Sequence, residues 1–212
     1  MRVWLLLAGD FAAPGVAVGA GDAVIAVDGG MRHAERLGVV PDVWLGDFDS
    51  ADAALQARYA GVERREFPRD KDFTDLELAL ATARARYPQA ALHIVGSGGD
   101  EADHAFANLW VAGAMSAGAM VFWQKRSVIV AGAGPFTLGF AAPFGGKVSL
   151  LALTPLTGVR CEGLRWALAG ETLPPFVARA ARNEMAAERA EIGWQSGVGL
   201  LFLPIFSKLF GL

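Results

Sequence analysis

The feature that most restricts this chain is a series of short apolar runs, each closed by Asp or Gly. "VWLLLAGD" (3–10), "AVIAVDGG" (23–30), "DVWLGDFD" (42–49) and "ALHIVGSGGD" (91–100) are apolar almost throughout and do not alternate. A strand that is apolar at every position buries both faces, as in a parallel sheet covered by helices. Helix-like pieces at 29–38, 50–61, 74–87 and 102–118 separate these runs, and such alternation predicts an α/β architecture. After about residue 120 the pattern changes. "AMVFWQ", "RSVIVAGAG", "KVSLLALTP", "GLRWALAG" and "EIGWQSGVGLLFLP" are β-like runs parted by Gly and Pro, which predicts an antiparallel sandwich or barrel. "PPFVARAARNEMAAERAE" (174–191) fits a short helix or an irregular connection. The expected fold is an N-terminal parallel-sheet α/β (Rossmann-like) domain over 1–138, then a small antiparallel β-sandwich or barrel domain over 139–212. The change of character is expected in the Gly- and Pro-rich stretch 132–146.

With 53% hydrophobic and 19% charged residues the chain can bury a substantial core, which excludes a disordered protein. A net charge of −3 gives no basic footprint for nucleic acid. One cysteine, Cys161, excludes an internal disulfide and a cysteine metal site, and fits a reducing compartment. The opening "MRVWLLLAGDF" is too short a run for a secretion signal and stops at Asp10. "GLLFLPIFSKLFGL" (199–212) is too short to span a bilayer and holds Pro204 and Lys208. It is expected as a last core strand with a tail packed on a neighbouring subunit. The expectation is a cytoplasmic protein with neither a nucleic-acid nor a membrane partner.

In an open parallel sheet, ligands bind beyond the carboxyl ends of the strands. Asp10, Asp28-Gly29-Gly30, Asp47-Phe48-Asp49-Ser50 and Gly96-Ser97-Gly98-Gly99-Asp100 are the residues expected there. Helix N-termini that follow would favour phosphate. Carboxylates repel phosphate unless a hard cation lies between them, and Mg²⁺ takes one or two carboxylates plus substrate phosphates. The pattern therefore points to a metal–phosphate site, although Asp49 or Ser50 alone would equally serve as a helix N-cap. In "FPRDKDFTDLELAL" (67–80), Thr74 and Glu77 have capping-box spacing and Asp75 falls in the first turn. The preceding Arg69-Asp70-Lys71-Asp72 suits either a phosphate-and-metal loop or a solvated loop that neutralises itself. In "GSGGDEADHAFANL" (96–109), Asp103 and His104 open a helix, with Asn108 one turn on. Neither G-x-x-x-x-G-K-[ST] nor G-x-S-x-G occurs, which excludes the P-loop and the hydrolase elbow.

Taken in order, "DGGMRHAERLGVVPDVWLGDFDS", "FPRDKDFTDLELAL" and "GSGGDEADHAFANL" resemble thiamine pyrophosphokinase. "KVSLLALTPLTGVRCEGLRWAL" resembles the start of that family's β-domain, and "ARNEM" stands where a Ser-Asn pair is usual. The resemblance implies Mg²⁺-dependent transfer of pyrophosphate from ATP to the hydroxyl of thiamine, giving thiamine diphosphate and AMP. It also implies a homodimer with active sites at the subunit interface. It matches Asp28 and the Asp47/Asp49 pair to the family's acidic site, with Asp47, Asp49 and Asp75 as metal ligands. Asp72 and Asp75 match the second acidic element, one of them as the base. Gly29, Ser50, Arg69, Lys71, Thr74, Asp103 and His104 join Asp28 on the nucleotide. Trp166 matches a residue that stacks on the thiamine ring, and Asn183 one that faces its pocket.

The chain departs from the family pattern in its third motif, where Glu101 replaces Arg and Asp100 replaces the second Gly. Arg69, Lys71 or Arg126 are the cations expected to compensate. Arg182 stands in place of the usual Ser. These exchanges motivate two alternatives, a pyrophosphokinase for another heteroaromatic alcohol such as a hydroxymethyl pterin, or a nucleotide-binding homologue without catalysis. A D-x-D phosphatase built on Asp47 is disfavoured, because its nucleophile would normally end the first strand.

Overall fold

The computed structural model describes residues 1–12, 17–48, 53–67, 72–99, 101–115 and 118–211. They divide into two compact units, Met1–Asn108 and Leu109–Leu212.

In the first unit the apolar runs become strands β1 (Arg2–Leu6), β2 (Ala23–Val27) and β3 (Val43–Gly46). Two more follow, β4 (Glu63–Glu66) and β5 (Ala91–Val95). All pair in parallel, in the order β5-β1-β2-β3-β4. β2 and β3 are buried at every position, as their continuous hydrophobicity requires. β4 is the exception. Its residues Glu63, Arg64, Arg65 and Glu66 are all exposed, and a charged edge strand discourages pairing with another chain. The helices are α1 (Arg32–Leu37), α2 (Ala53–Arg58), α3 (Asp75–Arg86) and α4 (Ala102–Trp110). A short 3₁₀ turn over Asp28–Met31 precedes α1, and Gly38 closes it in the left-handed conformation, φ 68°. α3 packs on β1 and β2 through a face that includes Leu76, Ala79, Leu80 and Ala83.

The second unit is antiparallel. β6 (Ala119–Trp123), β7 (Ser127–Ala133), β9 (Lys147–Ala152), β12 (Asn183–Glu184) and β14 (Val198–Pro204) pair in the order β6-β7-β14-β9-β12. The other sheet holds β8 (Phe136–Ala141), β10 (Leu156–Glu162), β11 (Leu168–Leu173), β13 (Arg189–Trp194) and β15 (Lys208–Phe210), in the order β11-β10-β13-β8-β15. Side chains from both sheets, among them Leu150 and Ile192, line one internal void of about 10 Å³. An α/β unit followed by a two-sheet β unit is the fold class expected from the sequence.

One boundary differs from expectation, and two segments take a definite form. The Gly- and Pro-rich stretch 132–146 lies inside the second unit, where Gly134 and Pro135 form the corner between β7 and β8. Of the two forms expected for residues 174–191, the irregular connection is the one found, turning into β12 and then β13. The apolar segment after Pro204 adds β15 to the chain's own β8. Among the described residues no helix is long and apolar enough to cross a membrane.

Candidate active site

Because β1 to β5 are parallel, their carboxyl ends share one edge, and the loops there are tied together. Leu7 N–H donates to Val95 O (2.8 Å), Gly9 N–H to Gly96 O (2.9 Å) and Asp10 N–H to Gly98 O (3.1 Å). Asp10 is thus bridged to the loop after β5, and among the described residues between it and β2 there is no helix. After β2, Asp28 adopts a left-handed φ of 43°, a conformation that Asp tolerates better than most residues. Its Oδ1 accepts the Asp47 N–H at 3.1 Å, and its carbonyl accepts the Trp44 Nε1–H at 3.1 Å. Gly46 makes this approach possible, since a Cβ there would collide with the Asp28 carboxylate. Asp28 and Asp47 are both half-buried at the rim. Phe48, φ 59°, lies edge-on to Trp44 at 5.0 Å.

The second acidic element leads into α3. Thr74 is its N-cap: the Glu77 N–H donates to Thr74 Oγ1 (3.3 Å), and the Thr74 N–H donates to Glu77 Oε2 (2.8 Å). The capping box read from the sequence is therefore formed. Asp75 is half-buried in the first turn and Asp72 is exposed before it. In α4, Asp103 and His104 are exposed, and Asp103 Oδ1 accepts the His104 N–H at 2.9 Å. Asn108, one turn after His104, is buried, 2% exposed, with Nδ2 donating to Ser97 O at 2.9 Å. Its role is to tie α4 to the loop after β5. Asp49, Ser50, Arg69, Lys71 and Asp100 lie outside the described residues. Arg126 is in the turn between β6 and β7.

His33 at this rim was not singled out by the sequence. Its Nε2 lies 2.9 Å from Gly9 O and its ring meets Phe11 edge-on at 4.7 Å. Burial pushes the imidazole below its usual value, against the opposing pull of the Gly9 carbonyl. No motif around "GMRHAERLG" signals this contact, because it depends on how the loop after β1 folds back.

Trp166 and Asn183 belong to the second unit and meet there. Trp166 is 53% exposed, while Asn183 is buried. Asn183 Oδ1 accepts the Trp166 N–H (3.1 Å), and its Nδ2 donates to Trp166 O (2.7 Å). Arg165 lies over the Trp166 ring at 4.8 Å from its centroid. Arg182 is exposed with φ 57°, its N–H donating to Ser149 Oγ at 2.8 Å.

Among the described residues no group of three or more His, Cys, Asp or Glu could by itself hold a metal ion. An ion completed by substrate phosphates needs only one or two carboxylates. The half-buried Asp28 and Asp47 at the rim supply oxygen donors of that type, so the residues present fit Mg²⁺.

Residues 18–121 match the family model described as thiamin pyrophosphokinase, catalytic domain. Solved structures extend the likeness to the whole fold. A thiamin pyrophosphokinase family protein from Enterococcus faecalis is 24% identical with a TM-score of 0.78, over 96% of this chain and 99% of that one. Thiamine pyrophosphokinase from Bacillus subtilis is 19% identical, TM-score 0.79, over 96% and 99%. The Candida albicans enzyme is 11% identical, TM-score 0.69, over 96% and 88%. No curated protein sequence matches. Over residues 18–121 this chain is thus similar to the catalytic domain of the thiamin pyrophosphokinase family.

Proposed function

We propose that this protein is a thiamine diphosphokinase, transferring pyrophosphate from ATP to thiamine. The observation that carries the reading is the family match over 18–121, which contains Asp28, Asp47 and the α3 cap. The hydroxyethyl oxygen of thiamine attacks the β-phosphorus of ATP. The bond from that phosphorus to the α,β-bridging oxygen breaks, AMP leaves with the oxygen, and the alcohol proton passes to a carboxylate, Asp72 or Asp75. Such transfers depend on alignment and charge neutralisation more than on covalent help. Mg²⁺, held by Asp47 with Asp49 and Asp75, would supply that neutralisation. Asp28, Gly29, Ser50, Arg69, Lys71, Asp103 and His104 form the nucleotide side. Thr74 positions it by fixing the start of α3. Trp166 suits a flat cationic ring through stacking and cation–π attraction. A homodimer with the sites at its interface completes the reading, and sedimentation would show it. The family match favours thiamine over the pterin-type alcohol that Glu101 and Arg182 suggested.

The test is AMP release from ATP and Mg²⁺ with and without thiamine. Thiamine-dependent AMP is expected, one per thiamine diphosphate formed. Asp47→Asn should lower it by about a hundredfold or more. Folded protein that makes no thiamine-dependent AMP would overturn the proposal.

A further inference from the structure

Trp166 combines an exposed head with an unusually well-held root. Asn183, 7% exposed, brackets the main chain of Trp166 through the two bonds described above. Its Oδ1 also accepts the Glu184 N–H at 2.9 Å. Cys161 Sγ donates to the same Trp166 carbonyl (3.4 Å) and accepts the Leu168 N–H (3.2 Å). The flanking backbone is zipped to the same partner segment, Arg165 N–H to Glu184 O (2.9 Å) and Ala186 N–H to Gly163 O (2.9 Å). The Glu184 carboxylate reaches the neighbouring side chain, pairing with Arg165 at 3.2 Å and also with Lys147. Arg165 in turn lies across the indole. Two adjacent residues therefore hold two others: Asn183 fixes the Trp166 main chain, and Glu184 fixes the cation on one face of its ring.

We infer that Asn183–Glu184 is a clasp that sets Arg165–Trp166 as a one-sided stacking platform, with Asn183 a positioning residue that does not itself contact the ring. The identity of the stacked ring, the thiamine heteroaromatic, rests on the function proposed above; the clasp itself does not. A solvent-exposed Trp gains nothing in core packing from such anchoring. A stacking surface does gain, because a ring already in place spares the ordering that binding would otherwise demand. Arg165 occupies one indole face, and the ligand is assigned to the opposite one. Glu184 offsets the Arg165 charge, which would otherwise repel a cationic ring.

The experiment compares full-length wild type with Asn183→Ala, Glu184→Gln and Cys161→Ser. Steady-state kinetics and hydrogen exchange of the 163–168 segment are read on each. Asn183→Ala should raise the KM for thiamine by about tenfold, with the KM for ATP unchanged and kcat altered less than KM. The Trp166 and Leu168 amides should exchange faster. Glu184→Gln should give a smaller rise in thiamine KM, and Cys161→Ser, which keeps a donor and an acceptor, should behave as wild type. A folded Asn183→Ala protein with unchanged thiamine KM, or with unchanged exchange at 163–168, overturns the inference. If wild type makes no thiamine-dependent AMP, the proposed function fails, and the exchange result alone decides whether the clasp exists.

Discussion

The strand-end rim of the first unit and the Trp166 loop of the second are both precise, and they reach precision by opposite means. At the rim, main chain meets main chain. The loop after β1 bonds to the loop after β5, and a Cβ on Gly30 would collide with the Leu6 carbonyl. Around Trp166, a buried side-chain amide and a thiol perform what a strand ladder would otherwise do. The first arrangement depends on atoms that are absent, and a single added methyl group defeats it. The second depends on atoms that are present, and it should weaken in steps as they are removed.

That contrast can be broken most forcefully at Gly30. Gly30→Ala drives a methyl group into backbone that cannot rotate away, and should cost about 3 kcal/mol or more. Asn183→Ala, which leaves backbone groups unpaired, should cost about 1–3 kcal/mol. Urea unfolding of the two variants checks the ranking, and an equal or inverted order would contradict the comparison.

Acid offers a comparable effect that separates the units. His93, 4% exposed in β5, stacks against Trp4 at 4.6 Å. Burial, and then the nearby Arg2 charge, push its imidazole down to about 4, with Asp22 opposing. The unfolded chain titrates near the ordinary value of 6.5. Stability from this depressed group is thus complete above about pH 6.5 and is lost as pH falls toward about 4, up to about 3 kcal/mol. The Glu184 carboxyl is held below its usual value by Lys147 and Arg165, so the clasp keeps its charges through most of that window. Hydrogen exchange at pH 5 should show the β1–β5 core loosening before residues 163–168. His93→Phe should flatten the slope of stability with pH.

These differences also explain what could be read in advance. β1, β2, β3 and β5 are apolar at nearly every position, so their hydrophobicity identifies them. β4 is four charged residues, and only its parallel pairing with β3 makes it a strand. Asp28 and Asp47 were legible as a rim because each closes an apolar run. The bond between them, nineteen positions apart, obeys no local period. The Trp166–Asn183 pair is seventeen positions apart and is joined through a strand of two residues. The resemblance pointed to both residues and to a place for Asn183 at the ligand pocket; the bonds of its amide to the Trp166 main chain are what only the structure adds. Residues 174–191 have an Ala- and Arg-rich composition suited to a helix, yet tertiary pairing of Asn183 with Val148 overrides it.

The smallest effect tests where cap ends and site begins. Thr74 lies in the second acidic element, but its hydroxyl is already engaged, accepting from Glu77 N–H and donating to Glu77 Oε2 at 2.9 Å. Thr74→Ala removes that exchange and should cost about 1 kcal/mol of stability, with Thr74→Ser close to wild type. If the hydroxyl serves α3 alone, the KM for ATP in a folded Thr74→Ala protein should stay within about threefold of wild type, since only the first turn loosens. A larger rise, restored by Ser, would mean that the hydroxyl leaves Glu77 to meet the nucleotide, and that this helix start is remade on binding.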